Sequence, residues 1–171
     1  ACAGAGGKTL HLAALMKNKG QIIALDIYEW KLTELKRRAK RAGAHNIETR
    51  LISDNKVIKR LHEKADRLLI DAPCSGLGVL KRNPDSKWKI DQAFIDRIKG
   101  EQQQILQDYS KILKKGGQMI YATCSILPSE NNEQVKLFLS NNPDFTLVKD
   151  QKIMPSEGYD GFYMALIKRN A

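Results

Sequence analysis

The chain reads as an α/β fold, a mostly parallel sheet with helices on both faces. Three observations predict it. Short apolar runs of strand length alternate with longer segments of helical period. A glycine-rich turn, CAGAGGKT at 2–9, stands directly before the first helical segment. Acids and cysteines follow the apolar runs, at the strand ends where open α/β sheets bind their ligands. Right-handed crossovers between successive strands keep most of such a sheet parallel.

The elements follow in order. Segment 8–17 carries Leu10, Ala13, Ala14 and Met16 near helical spacing, and Asn18 and Gly20 close it. QIIALD at 21–26 is a short apolar run ending in an acid, a buried strand. Over 29–42, Leu32, Leu35, Ala39 and Ala42 share one helical face. Lys31, Lys36, Arg37, Lys40 and Arg41 occupy the other sides, and Gly43 stops the helix. Segment 47–53 is a weaker strand, 56–63 a short helix and 66–71 (DRLLID) a buried strand. A long connection over 72–90 precedes a helix over 91–113. Gly116-Gly117 reads as a turn before a strand at 118–122 (QMIYA). A helix over 130–140 and strands at 145–148 and 162–168 complete the list. No repeat and no linker interrupts this order, so 1–171 is expected to be one domain. A glycine turn of the 2–9 type normally follows a buried strand. The reading therefore expects a first strand upstream of Ala1 and takes the chain as an N-terminally truncated domain.

Composition narrows the function. The chain has 171 residues, 42% hydrophobic and 28% charged, enough apolar material for a core and too much for a disordered chain. No apolar run approaches the length of a membrane span, and no membrane partner is expected. Lys and Arg number 29 against 19 acids, a net charge of +10 that points to a polyanion such as nucleic acid. Cys2, Cys74 and Cys124 are widely spaced, with no C-x-x-C pair, which argues against both a zinc site and a disulfide framework. A reducing cytoplasm suits them. No metal is expected, and the chain is expected to be monomeric.

The strand-end rule places these residues together. Asp26 ends one strand, Asp54 follows the next, Asp71 and Cys74 follow the third, and Thr123, Cys124 and Ser125 follow the fourth. The turn at 2–9 fits neither a P-loop nor a G-x-G-x-x-G fingerprint, because Cys2 and Thr9 stand where those patterns need glycine. What remains is a turn that lets a ligand approach the backbone closely. An acid at the end of the next strand is placed to hold ribose hydroxyls. An adenosine-containing ligand without a pyrophosphate satisfies both.

Further motifs are more specific. CAGAGGKT (2–9), Leu25-Asp26, DAPCSGLG (71–78), NPDSKW (83–88), LKKGGQMIYATCSILPSEN (113–131) and DGFYMA (160–165) occur in one order along nearly the whole chain. In them the sequence resembles the Sun-type (Fmu-type) family of S-adenosylmethionine-dependent RNA cytosine-5 methyltransferases. Ala5 and Lys115 stand where that family commonly has proline. Family members also usually carry an upstream RNA-binding region.

The resemblance implies a Rossmann-like methyltransferase fold, S-adenosylmethionine as cofactor, and RNA as partner, small-subunit (16S) ribosomal RNA first and transfer RNA as the alternative. It implies cofactor contacts from Cys2, Ala3, Gly4, Ala5, Gly6, Gly7 and Lys8, with Asp26 at the ribose, Asp54 near the adenine, and Asp71. It makes Cys124, of the TC motif, the nucleophile, and ties Cys74, of the PC motif, to product release. The chemistry has a physical reason. Carbon 5 of cytosine is a weak nucleophile until a thiolate adds to carbon 6. A competing reading takes Cys74 as the nucleophile, as DNA cytosine-5 methyltransferases use a Pro-Cys cysteine. A non-enzyme reading is a basic RNA-binding scaffold. Lys81, Arg82, Lys87 and Lys89, with Trp88 among them, form a basic segment suited to RNA phosphates and base stacking.

Overall fold

A computed structural model describes all 171 residues. They form two compact units, Ala1–Arg60 and Leu61–Ala171. The strands make two separately hydrogen-bonded sheets rather than one. Periodicity identifies strands, but it carries no information on which strands pair.

The first unit contains α1 (Gly7–Leu15), β1 (Ile22–Asp26), α2 (Glu29–Arg41), β2 (Ile47–Leu51) and α3 (Asn55–Arg60). β1 and β2 pair in parallel, from Ile22 opposite Ile47 to Asp26 opposite Leu51. The crossover helix α2 places Leu32, Leu35 and Ala39 inward. Ala24, Leu35 and Ala39 form the core, with Ala3, Leu10, Ala44 and Ile47 against it. Three of the four residues of the predicted apolar face are thus buried, while Ala42 is exposed just past the end of α2.

The second unit contains β3 (Ala65–Asp71), α4 (Ser86–Lys89), α5 (Gln92–Tyr109), β4 (Leu113–Thr123), α6 (Asn132–Asn141), β5 (Phe145–Ile153) and β6 (Phe162–Arg169). Its sheet order is β3-β4-β6-β5. β3 and β4 are parallel, but β6 is antiparallel to both β4 and β5. The expected mostly parallel sheet therefore becomes mixed here. The cause is the short connection 154–161, since a parallel return needs about a dozen residues or more. The β3→β4 and β4→β5 crossovers step the same way across the sheet, so right-handed connections put α5 and α6 on one face. There Gln103 Nε2 of α5 donates to the backbone carbonyl of Gln134 on α6, at 2.8 Å. In this unit the two connecting helices α5 and α6 share a face.

Three boundaries moved. The helix read as 91–113 ends at Tyr109, and a short 3-10 turn leads into β4. β4 starts at Leu113 and runs through the predicted Gly116-Gly117 turn. The register jumps from Ala65↔Leu113 to Arg67↔Gln118, so the glycines form a bulge, with Gly116 at φ +74°. β5 reaches Ile153 through the polar residues Lys149 to Lys152, as suits an exposed edge strand. No helix is long and apolar enough to cross a membrane.

Candidate active site

In the first unit the glycine turn is tied to the end of β1. The Ala3 amide donates to the Leu25 carbonyl at 2.9 Å, and the Gly4 amide donates to Asp26 Oδ2 at 2.8 Å. Asp26 is buried, and its other oxygen, Oδ1, accepts the Tyr28 amide at 3.0 Å. The acid predicted to face a ribose thus also braces the turn. Arg38 of α2 donates to the Ala5 carbonyl at 2.9 Å. Gly6 is required where it stands: its φ is +88°, and a Cβ there would lie 2.5 Å from Leu35 Cγ. Around Gly4 and Gly7 a Cβ would meet nothing within 4 Å. The turn is therefore anchored on one side and open on the other. Cys2 is half-buried with φ +55°, and Gly7 and Lys8 are exposed. Asp54 is exposed and accepts the Lys56 amide at 2.8 Å, opening α3.

In the second unit, Asp71 ends β3 half-buried, and Cys74 and Cys124 lie on the loops that leave the parallel neighbours β3 and β4. Their Sγ atoms are 3.2 Å apart. The predicted pair is brought together across fifty positions of sequence. The hydrogen bond with Cys124, helped by burial and by repulsion from a charge on Cys124, holds the Cys74 thiol far above the usual thiol range. The surroundings of Cys74 thus oppose its ionisation.

The two loops are knitted together. The Gly78 amide donates to the Cys124 carbonyl at 2.9 Å, and the Gly161 amide donates to the Gly78 carbonyl at 2.7 Å. A Cβ on Gly78 would sit 2.1 Å from the Gly161 oxygen. Gly78 and Gly161 therefore leave no room for a side chain at this crossing.

The basic segment 81–89 holds α4, which the sequence reading left as loop. Lys81, Lys87 and Lys89 are exposed, and Trp88 is 82% exposed with Lys87 Nζ 4.9 Å from its ring centroid. Arg82 pairs with Asp160 at 2.6 Å, so part of its charge is spent within the unit.

Sequence reasoning missed Glu130, Gln102 and Asn131, all completely buried. Glu130 was read as the first residue of a helix, where an acid usually faces solvent. Its one signal was its place in the LPSEN stretch directly after the TC motif.

The sheet, the glycine turn and the strand-end acids define a Rossmann-like methyltransferase fold. The crystal structure of PH0851 shares it at TM-score 0.94 and 32% identity, over 98% of this chain and 41% of that one. So does NSun6 from Pyrococcus horikoshii, solved with SFG, an analogue of S-adenosylmethionine, at TM-score 0.86 and 29% identity, over 98% and 46%. The model of the 16S rRNA methyltransferase RsmB/F family matches residues 1–168, and the chain belongs to that family. It is 39% identical to "Probable ribosomal RNA small subunit methyltransferase B" of Bacillus subtilis, over 85% of this chain and 33% of that protein. It is 37% identical to ribosomal RNA small subunit methyltransferase B of Proteus mirabilis, over 98% and 40%. The chain thus spans between a third and two-fifths of the length of these curated relatives.

Proposed function

We propose that this chain is the catalytic domain of an enzyme that methylates carbon 5 of cytosine in small-subunit ribosomal RNA. The observation that carries the reading is the 3.2 Å approach of Cys74 and Cys124 at the ends of neighbouring parallel strands. The relatives' names supply the RNA, and the single family match across both units supports reading them as one domain. Free cysteines suit a reducing cytoplasm, and a monomer suffices because both sulfurs come from one chain.

The residues present fit S-adenosylmethionine. The open space over Gly4 and Gly7 admits a ligand against the backbone, and Asp26 has a lone pair left on each oxygen for ribose hydroxyls. Cys2 to Lys8, Asp26, Asp54 and Asp71 would hold it; when bound, it supplies an electrophilic methyl group on a sulfonium. Cys124 adds to carbon 6 of an unpaired or flipped cytosine, forming an S–C bond and making carbon 5 nucleophilic. After methylation a water takes the carbon 5 proton, and the electrons of the S–C bond return to Cys124 as the thiolate. Cys74, with its Sγ 3.2 Å from that sulfur, serves this release step by hydrogen bonding to the departing thiolate. Asp71 would orient the base edge. Lys81, Lys87, Trp88 and Lys89 meet the RNA backbone and an unstacked base, and Arg82 joins them if its bond to Asp160 opens.

The test is covalent trapping on RNA carrying 5-fluorocytosine, which cannot release its carbon 5 substituent. Peptide mapping of the adduct is expected to place the link at Cys124. A link at Cys74, or no adduct from the full-length protein, would overturn the assignment.

A further inference from the structure

Glu130 has no exposed surface, yet both its oxygens are engaged. Oε1 accepts the Ser75 amide at 2.7 Å and Gln102 Nε2 at 3.2 Å. Oε2 accepts the Ser75 hydroxyl at 2.5 Å and the Ser125 hydroxyl. Ser75 follows Cys74 in the chain, and Ser125 follows Cys124. One carboxylate therefore joins the residue after each cysteine. The serine oxygens accept in turn the amides of Leu77 and Leu127, which shapes both loops beyond the cysteines.

The other side of each cysteine is held as well. Gln102 donates to the Pro73 carbonyl at 2.9 Å, just before Cys74. Asn131 accepts the Thr123 hydroxyl at 2.5 Å and donates to the Ser125 carbonyl at 2.9 Å, so it grips both neighbours of Cys124. The Glu130 carbonyl accepts the Tyr121 hydroxyl at 2.8 Å, which ties the carboxylate's own backbone to β4.

A buried carboxylate is costly, and an apolar side chain of similar volume would often stabilise a core equally well. What the carboxylate adds is geometry: four donors from two loops and a helix converge on two atoms. We propose that Glu130 is a positioning residue that clamps the loop after β3 to the loop after β4 and sets the approach of Cys74 to Cys124. Being fully buried, it cannot touch RNA or cofactor. The clamp is a property of the fold, and its importance for catalysis rests on the function proposed above.

The experiment uses cross-linking as a ruler. Diamide takes one hydrogen from each thiol, joins the sulfurs and is itself reduced to the hydrazine. The rate of Cys74–Cys124 linkage, read by mapping non-reduced peptides, reports their approach without RNA or cofactor. Wild-type chain is expected to cross-link fastest. Glu130→Ala should slow linkage more than tenfold, and Glu130→Gln should slow it a few-fold, because the amide retains the shape but donates where the serine hydroxyls also donate. Should Glu130→Ala fail to fold, by circular dichroism and thermal melting, the Ser75→Ala/Ser125→Ala pair takes its place with the same expectation. Folded variants that cross-link at the wild-type rate would overturn the clamp. In the full-length protein, Glu130→Gln should lower the adduct rate on 5-fluorocytosine RNA while RNA and S-adenosylmethionine affinities stay within twofold, and the Ala variant should lose about 100-fold, as misplacement near 1 Å does. Slowed cross-linking with no adduct even from wild type would leave the clamp standing and reject the methyltransferase reading instead.

Discussion

The glycine turn of the first unit and the cysteine loops of the second are both anchored at strand ends, but they are built in opposite ways. The turn is fixed from one side only, by backbone hydrogen bonds and by Asp26, and Gly4 and Gly7 face open space. The cysteine loops are held on both sides by buried polar side chains, and Gly78 has no room for a single added carbon. A ligand that lies along a backbone needs clearance and a few amides. A side chain that must form and break a covalent bond needs a defined position. The difference in construction is the one the two proposed tasks would require, and it can be tested at both ends.

The largest expected effect is at the sulfur itself. Cys124→Ser should remove RNA adduct formation and methyl transfer by several orders of magnitude, since a hydroxyl is far less acidic than a thiol. S-adenosylmethionine affinity, measured by calorimetry, should be unchanged, because the proposed cofactor contacts do not include Cys124. Appreciable turnover in this variant would break the assignment of the nucleophile.

Next is a matched pair of glycine substitutions. Gly78→Ala places a Cβ 2.1 Å from the Gly161 oxygen and 2.7 Å from the Cys124 oxygen, both backbone atoms, so the loops must part. A loss of about 3 kcal/mol or more in urea unfolding is expected, beyond the usual range for overpacking. Gly4→Ala meets no atom and carries only the strain of φ +56°, about 1–2 kcal/mol. Equal losses would mean that the two regions are not built differently.

Asp26→Ala probes the open side. The cofactor should bind roughly ten- to a hundred-fold more weakly, the equivalent of about 1.5–3 kcal/mol for hydrogen bonds to a charged group. RNA affinity should stay nearly constant, because phosphate contacts come from basic side chains. Asp26→Asn separates bracing from ligand contact. It keeps one acceptor oxygen, so a turn that needs both should loosen in hydrogen exchange at Gly4.

The smallest effect is electrostatic. The raised Cys74 thiol holds its proton in the folded state past the ordinary thiol range of about 8.5. Below that range both states are protonated and nothing is lost. Above it the unfolded chain releases the proton and the folded chain does not, so the native state loses up to about 1.4 kcal/mol per pH unit. Comparing wild type with Cys74→Ala between pH 7 and 10 isolates this slope. At pH 8, iodoacetamide should label Cys124 well before Cys74; the reverse order would contradict the assignment of the proton.

The amino-acid sequence by itself determined most of the elements, though not their ends. The apolar runs became β1, β3 and β6, the Leu32–Leu35–Ala39 face became a core, and the acids and cysteines fell after strands, because these are local patterns with fixed periods. It also carried the family motifs, whose order placed Cys74 and Cys124 in one site before any distance was known. Only the tertiary structure decided how strands pair, that the Gly116-Gly117 signal is a bulge, and that β6 inserts between β4 and β5. It also decided that Asp26 spends hydrogen bonds on its own turn and that an acid in an ordinary-looking helix start lies buried between two serines. These depend on which distant segments meet: Glu130 bonds Ser75 from fifty-five positions away. A helix-start acid looks the same in sequence whether it faces water or two buried serines, and only packing tells the two apart.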